Sequence, residues 1–225
     1  MKENCLLIFL TAPSADKVPA NLKEAFGAEK AALVYMDMAR HLFSAAKKFA
    51  TVQPTVIYKS DGKYPDLRWL DPDDPGFLSV KGSTPLEQLC YAMRWSFDAG
   101  ALHVAALSVQ APGLPGDWIE KAFSMLTEKD IVLGPAQDGE SYMLGMNRIQ
   151  AQVLEGYPWP GRRFCDEMVE RSKRMRISLY SLPEFYLIKD EKAYQQWISS
   201  GRKAVQPAPQ PVVEPAASKE TKPAK

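Results

Sequence analysis

The densest group of reactive side chains is Asp138-Gly139-Glu140-Ser141. Two carboxylates this close offer a general base, or an acceptor for a ligand hydroxyl, at one point of the chain. The same four residues also read as a turn, since Asp-Gly is a common dipeptide before a returning strand. Ser108 and Gln110 follow an apolar run and supply a hydroxyl and an amide; Lys17 is the cation of an early loop and has Asp16 beside it. Other reactive types are scattered. His41 and His103 have no ligand-spaced partner, and Cys5, Cys90 and Cys165 make neither a metal spacing nor a disulfide framework. There is no P-loop, no G-x-G-x-x-G and no G-x-S-x-G. A basic segment runs through Arg162, Arg163, Arg171, Lys173, Arg174 and Arg176, interrupted by Asp166, Glu167 and Glu170. It reads as a solvated helix face or as an attraction for an anionic ligand.

The elements that would hold these residues follow from apolar spacing. Cys5 to Thr11 is a continuous apolar run, which suits a strand buried on both faces. A secretory segment is the alternative, but the run is short and Glu3 sits in its flank. Gly27 precedes a helix over 28–49, striped by Val34, Met38, Leu42, Ala45 and Phe49. Strands are expected at 55–58 and 77–80. A helix over 86–97 has Thr84 as its cap and Pro85 in its first turn. Then come a strand at 102–109, a helix at 117–127, strands at 130–134 and 141–146, a helix at 162–173, a strand at 177–182 and a helix at 190–199. Strands alternating with helices predict one α/β domain over residues 1–200. Its architecture is three-layer α/β/α with a mostly parallel, Rossmann-like sheet. Ligands of such sheets sit beyond the carboxyl ends of the strands. The loops to watch are therefore 12–21, 110–116 and 135–141, which hold most of the reactive residues above.

Composition excludes several classes. The chain has 225 residues and a formal charge of +1. A near-neutral chain is a poor nucleic-acid binder, because phosphate affinity is mostly cationic. No run approaches the length of a membrane span. Three well-separated cysteines fit a reducing cytosol, so a cytoplasmic location is expected. The charge is unevenly placed: Arg202 to Lys225 carries five cations and two anions, leaving the body net negative. Residues 201–225 also hold five prolines and no aromatic residue, which predicts a disordered Pro/Ala/Lys-rich tail. Such a tail could contact a protein partner.

The order and spacing of these segments resemble the DUF2064 or nucleotide-diphospho-sugar transferase-like family, also described as an arsenosugar-biosynthesis type of glycosyltransferase. The resemblance covers about residues 5 to 200. The family's first loop, A-P-x-x-G-x-x-K-T-R-L, is matched by Ala12-Pro13 at its start, Leu22 at its close and Gly27 before the helix. Pro19-Ala20-Asn21 stands where Lys-Thr-Arg is usual. Lys81 to Leu86 matches a Gly-containing turn, with Pro85 in place of an acid. The motif G-S-D-x-P-x-L-P corresponds to Ser108 through Pro115, with Gln110 in place of Asp. The motif V-L-G-P-A-x-D-G-G-Y corresponds to Val132 through Tyr142, and Trp159 matches a family Trp. Leu182-Pro183 is present, but Leu187-Ile188-Lys189 replaces a D-x-D.

The resemblance implies a fold of the GT-A type and a glycosyltransferase-like protein acting on a nucleotide-activated small molecule. It implies Asp138 and Glu140 as catalytic carboxylates, and Ala12, Pro13, Lys17, Ser108, Gln110, Gly139 and Ser141 as binding residues for a nucleotide or nucleotide sugar. The family chemistry would recruit Mg²⁺ or Mn²⁺ to neutralise a leaving phosphate. An amide at 110 supplies only a carbonyl dipole, and the charge of Lys189 would repel a metal. Any metal dependence is therefore expected to be weak or absent. The joint departures at 19–21, 110 and 187–189 imply the alternative, a catalytically inactive relative serving as a binding or interaction protein.

Overall fold

The computed structural model describes residues 1–59, 65–156 and 159–202. The expected tail lies outside the described residues from 203 onward. The sheet has seven strands: β1 (Asn4–Leu10), β2 (Val52–Tyr58), β3 (Leu78–Ser79), β4 (His103–Leu107), β5 (Ile131–Pro135), β6 (Ser141–Met146) and β7 (Leu179–Ser181). Their order across the sheet is β3-β2-β1-β4-β6-β5-β7. β1 lies parallel to β2 and β4, β2 to β3, and β5 to β7, while β6 runs antiparallel to both β4 and β5. The mostly parallel sheet read from the sequence is therefore present, with β6 as the reversed strand.

Among the described residues, seven helices cover the sheet: α1 (Ala20–Phe26), α2 (Ala28–Ala46), α3 (Pro85–Asp98), α4 (Gly116–Leu126), α5 (Ala151–Leu154), α6 (Phe164–Met175) and α7 (Glu191–Ser199). Successive side chains of a strand point to opposite faces. Leu6 and Ile8 of β1 thus join one core with α1, α2, α4 and α7, while Cys5 and Leu7 join a second core with α3, α5 and α6. Both faces of β1 are sealed, which explains its unbroken apolar run. Thr84 caps α3 in a full capping box with Glu87, and Asp190 caps α7 by accepting from the Ala193 N–H at 2.8 Å. Two short helices escape the periodicity reading. α1 has seven residues with Leu22 alone buried, and α5 has four residues, too few to show a period. None of the described helices is long and apolar enough to cross a membrane.

The far edge of the sheet is tied by Asp130. Its carboxylate accepts from the Ser178 hydroxyl at 2.7 Å, the Ser178 N–H at 3.0 Å and Arg148 at 2.8 Å. These bonds, led by the Ser178 hydroxyl, hold its carboxyl below the ordinary aspartate range. A depressed carboxylate contributes stability above its unfolded pKa near about 3.9, and that contribution is lost as pH falls through the lower folded value. Asp130→Asn is expected to cost about 1–3 kcal/mol at neutral pH. Urea titrations should show a smaller penalty near about pH 3, where the native carboxylate is itself losing its charge.

Candidate functional site

The site is built at the carboxyl edge of the sheet by four connections. The first, after β1, turns at Ser14 to Val18 and leads into α1. Thr11 in this loop donates its N–H to the Tyr35 hydroxyl at 2.9 Å, which pins the strand end to α2. The second, after β4, starts at Ser108, whose N–H bonds to Tyr142 O at 2.8 Å and whose hydroxyl accepts from the Gln110 N–H at 3.2 Å. The third is the turn between β5 and β6. Ala136 N bonds to Glu140 O at 2.8 Å, Gly139 N to Ala136 O at 2.9 Å, and Asp138 Oδ1 accepts from Glu140 N at 3.2 Å. The turn read from Asp-Gly is real, and it holds both carboxylates at the rim.

The fourth connection leaves β7 and ties the second and third together. Leu182 N bonds to Leu133 O, Phe185 N to Pro135 O, Gln137 N to Phe185 O, and Ile188 N to Gln110 O, all at 2.8–3.1 Å. Phe185 is fully buried and packs edge-on against Trp118 and Tyr142 at 5.9 Å. The Tyr142 hydroxyl donates to Pro183 O at 2.9 Å. This anchoring delivers Lys189 to the third loop. Its ammonium hydrogen-bonds Asp138 and lies 2.7 Å from Glu140 Oε1. Lys189 keeps 26% of its side-chain surface exposed and Glu140 21%, so the cluster is screened less than an ordinary surface pair.

A cavity of about 350 Å³ opens beside this cluster, between the ends of β1 and β4, the start of β6 and the first turn of α3. Its walls are largely apolar and include the rings of Phe9, Tyr35, Tyr142 and Trp159. Phe9 and Trp159 meet edge to face with centroids 5.7 Å apart. Thr11, Gln88, Ser108, Gln110, Glu140 and Ser141 supply polarity, and among the described residues Glu140 is the one charged residue in the lining. Gln110 and Trp159 belong to the lining, but Gln110 Nε2 and Trp159 Nε1 are themselves buried and have no partner among the described residues.

The sequence-derived residues divide accordingly. Ser108, Gln110, Glu140 and Ser141 line the cavity. Asp138 and Gly139 sit on the adjoining turn, with Asp138 at the exposed rim. Ala12 and Pro13 are outside the cavity lining, and Lys17 is exposed on the first loop. Sequence reasoning missed Phe9, Tyr35 and Gln88 as lining. It also read Lys189 only as a charge hostile to metal; nothing local announces partners about fifty residues away. Cys165 lies beneath the turn and donates to Glu140 O at 3.0 Å. Burial pushes its thiol up to about 12, so it is a protonated donor at neutral pH and not a nucleophile. The residues do not fit a divalent cation. Mg²⁺ and Mn²⁺ want several oxygen ligands, whereas Asp138 and Glu140 converge on an ammonium. Among the described residues, no three His, Cys, Asp or Glu side chains group closely enough to hold a metal ion.

Residues 42–161 match DUF2064, described as uncharacterised proteins conserved in bacteria. The chain belongs to the DUF2064 family. Solved structures relate this DUF2064 member to a wider fold. A candidate nucleotide-diphospho-sugar transferase from Desulfovibrio desulfuricans G20 is 27% identical, with 84% of each chain covered and a TM-score of 0.77. The 4-diphosphocytidyl-2C-methyl-D-erythritol synthase of Anaerococcus prevotii DSM 20548 is 9% identical, with 89% and 97% covered and a TM-score of 0.57. A CMP:2-keto-3-deoxy-manno-octonic acid synthetase complexed with CTP is also 9% identical, with 88% and 98% covered and a TM-score of 0.56. The last two share the fold alone. No curated protein matches the sequence. The fold is thus that of nucleotide-diphospho-sugar transferases and nucleotidyltransferases, as the sequence order implied.

The rim turn of this DUF2064 chain depends on Gly139. Its φ is +82°, and a Cβ there would lie 1.8 Å from the Arg162 carbonyl oxygen. Gly139→Ala is therefore expected to cost at least about 2 kcal/mol, from a left-handed backbone plus a direct overlap with main chain. For a domain of this size that lowers Tm by roughly 4–8 °C in a thermal melt.

Proposed function

We propose that this protein binds a nucleotide-activated small molecule, with the nucleoside in the aromatic cavity, and transfers the activated group to an acceptor hydroxyl. The observation that carries the reading is the cavity itself, which opens at the carboxyl edge of the sheet and sets Phe9, Tyr35, Tyr142 and Trp159 among the polar side chains of Thr11, Gln88, Ser108 and Gln110. A nucleobase is flat, packs its faces on aromatic side chains and offers ring acceptors and donors to such polar groups. Ser108 and Gln110 would hold the nucleoside, with Ser141 and Gly139 beside it. Ala12, Pro13 and Lys17 belong to the loop on the phosphate side. Asp138 is the more exposed carboxylate and can meet an acceptor arriving from solvent. It would take the hydroxyl proton as the acceptor oxygen attacks the activated centre and the bond to the nucleotide's phosphate oxygen breaks. Glu140, deeper and facing the cavity, would orient the ligand.

A second reading is favoured by a specific contact. Lys189 engages both carboxylates, and a carboxylate committed to an ammonium is less free to take a proton. In that reading the cavity binds its ligand without turnover, as a binding or interaction protein.

Thermal shift against nucleoside diphosphates, triphosphates and nucleotide sugars, each with and without Mg²⁺ or Mn²⁺, tests the shared part. A ligand at a hundredfold excess over its Kd should stabilise by about 2.7 kcal/mol, which raises Tm by roughly 5–10 °C. Gln110→Ala should weaken that ligand roughly threefold to tenfold. No shift with any nucleotide would sink the reading. With binding established, Asp138→Asn should abolish turnover while leaving the melt in place. Turnover that survives removes Asp138 from the chemistry, and binding with no turnover in the unaltered protein selects the second reading.

A further inference from the structure

We propose that Lys189 is the resident cation of this site, filling the place between Asp138 and Glu140 that a divalent ion would otherwise take, so that ligand binding needs no divalent ion. The proposal rests on the ligand site described above but is tested without a nucleotide. The first support is convergence. Two carboxylates on one tight turn face the same ammonium, which hydrogen-bonds Asp138 and stands 2.7 Å from Glu140. The second support is that Lys189 is not a loose surface lysine. Its predecessor Ile188 is fully buried and its N–H is fixed to Gln110 O at 2.8 Å. Its successor Asp190 is the N-cap of α7. Rigid backbone on both sides holds the ammonium at the rim. The third support is the cavity lining, where Glu140 is the one charged residue and Gln110 brings an amide. Among the described residues, no further carboxylate reaches the cluster to complete a hard-cation shell.

The exchange has an electrostatic consequence. A divalent ion between two carboxylates neutralises them, whereas one ammonium leaves the cluster net negative by one charge. An ammonium has three N–H donors, so with Asp138 and Glu140 served one remains for a further acceptor at the rim. Lys189 therefore acts as a specificity-determining residue. It partly compensates the carboxylate pair while refusing metal.

The test is calorimetric titration with Mn²⁺ alone on the unaltered chain, Lys189→Asp, Lys189→Met and the double variant Lys189→Asp with Asp138→Asn. The unaltered chain should show no saturable Mn²⁺ binding that depends on Asp138. Lys189→Asp should bind Mn²⁺ at least about tenfold more tightly, because three carboxylates then share one rim. The double variant should lose that gain. Lys189→Met keeps the length of the stem and covers the case in which Lys189→Asp fails to fold; it should show a smaller gain. A lysine that only latched two loops together would lower the melt on removal without creating a metal site. Saturable Mn²⁺ binding to the unaltered chain that Asp138→Asn removes would overturn the proposal. So would a folded Lys189→Asp with no gain. Because no nucleotide is present, these outcomes stay readable whether or not nucleotides bind.

Discussion

The site depends on the hydrogen bond from Ile188 N–H to the Gln110 carbonyl and on the segment that makes it. Backbone donors and acceptors that leave a sheet must find partners or stay in water. After β7 the chain meets this demand by running along the carboxyl edge and pairing in turn with Leu133, Pro135, Gln137 and Gln110. The connections after β4 and β5 are thereby joined to the segment after β7 in one rim. Phe185 locks the path from below, because its ring is fully buried between Trp118 and Tyr142. The placement of Lys189 follows from that path.

Once the rim is assembled, its charges constrain one another. Asp138 and Glu140 sit on a turn whose geometry is set by Gly139 against the Arg162 carbonyl. Two carboxylates so near each other repel unless a cation stands between them. Lys189 supplies it from a different part of the chain. Beside this cluster the cavity is largely apolar, with four aromatic rings, and carries little charge. The architecture thus separates a region suited to a flat, neutral ring from a rim suited to proton transfer or charge.

How much of this was legible in the sequence depended on the range of the signal. The unbroken run of β1, the stripe of α3 and its Thr84–Glu87 cap are local, and the fold class followed from them. The turn at Asp138-Gly139 was equally local. The short α1 and α5 were not legible, since a helix under two turns leaves too few positions to show a period. The cavity was only partly so. Ser108 and Gln110 follow a strand end and announce themselves, whereas Phe9 and Tyr35 look like any core residue in a strand and a helix. Lys189 was read from its type alone, as a cation where an acid is usual. Its partners lie across the sheet edge, and only the path after β7 brings them to it.

That contact changes the meaning of the departures from the family pattern. Read one by one, an amide at Gln110 and a lysine at Lys189 each look like the loss of a metal ligand. In space both belong to one rim: the Gln110 carbonyl holds the residue before Lys189, and Lys189 holds the two acids. Acids at both positions would add two negative charges to Asp138 and Glu140, a density that requires a strongly charged counterion. An amide at one and an ammonium at the other remove that requirement together. The two departures are joined by that backbone contact, and each lowers the negative charge carried by the loops that meet there. Coupled replacement of this kind is what a site re-equipped with a protein cation requires, whereas independent decay has no reason to place the ammonium within hydrogen-bond reach of the acids that remain.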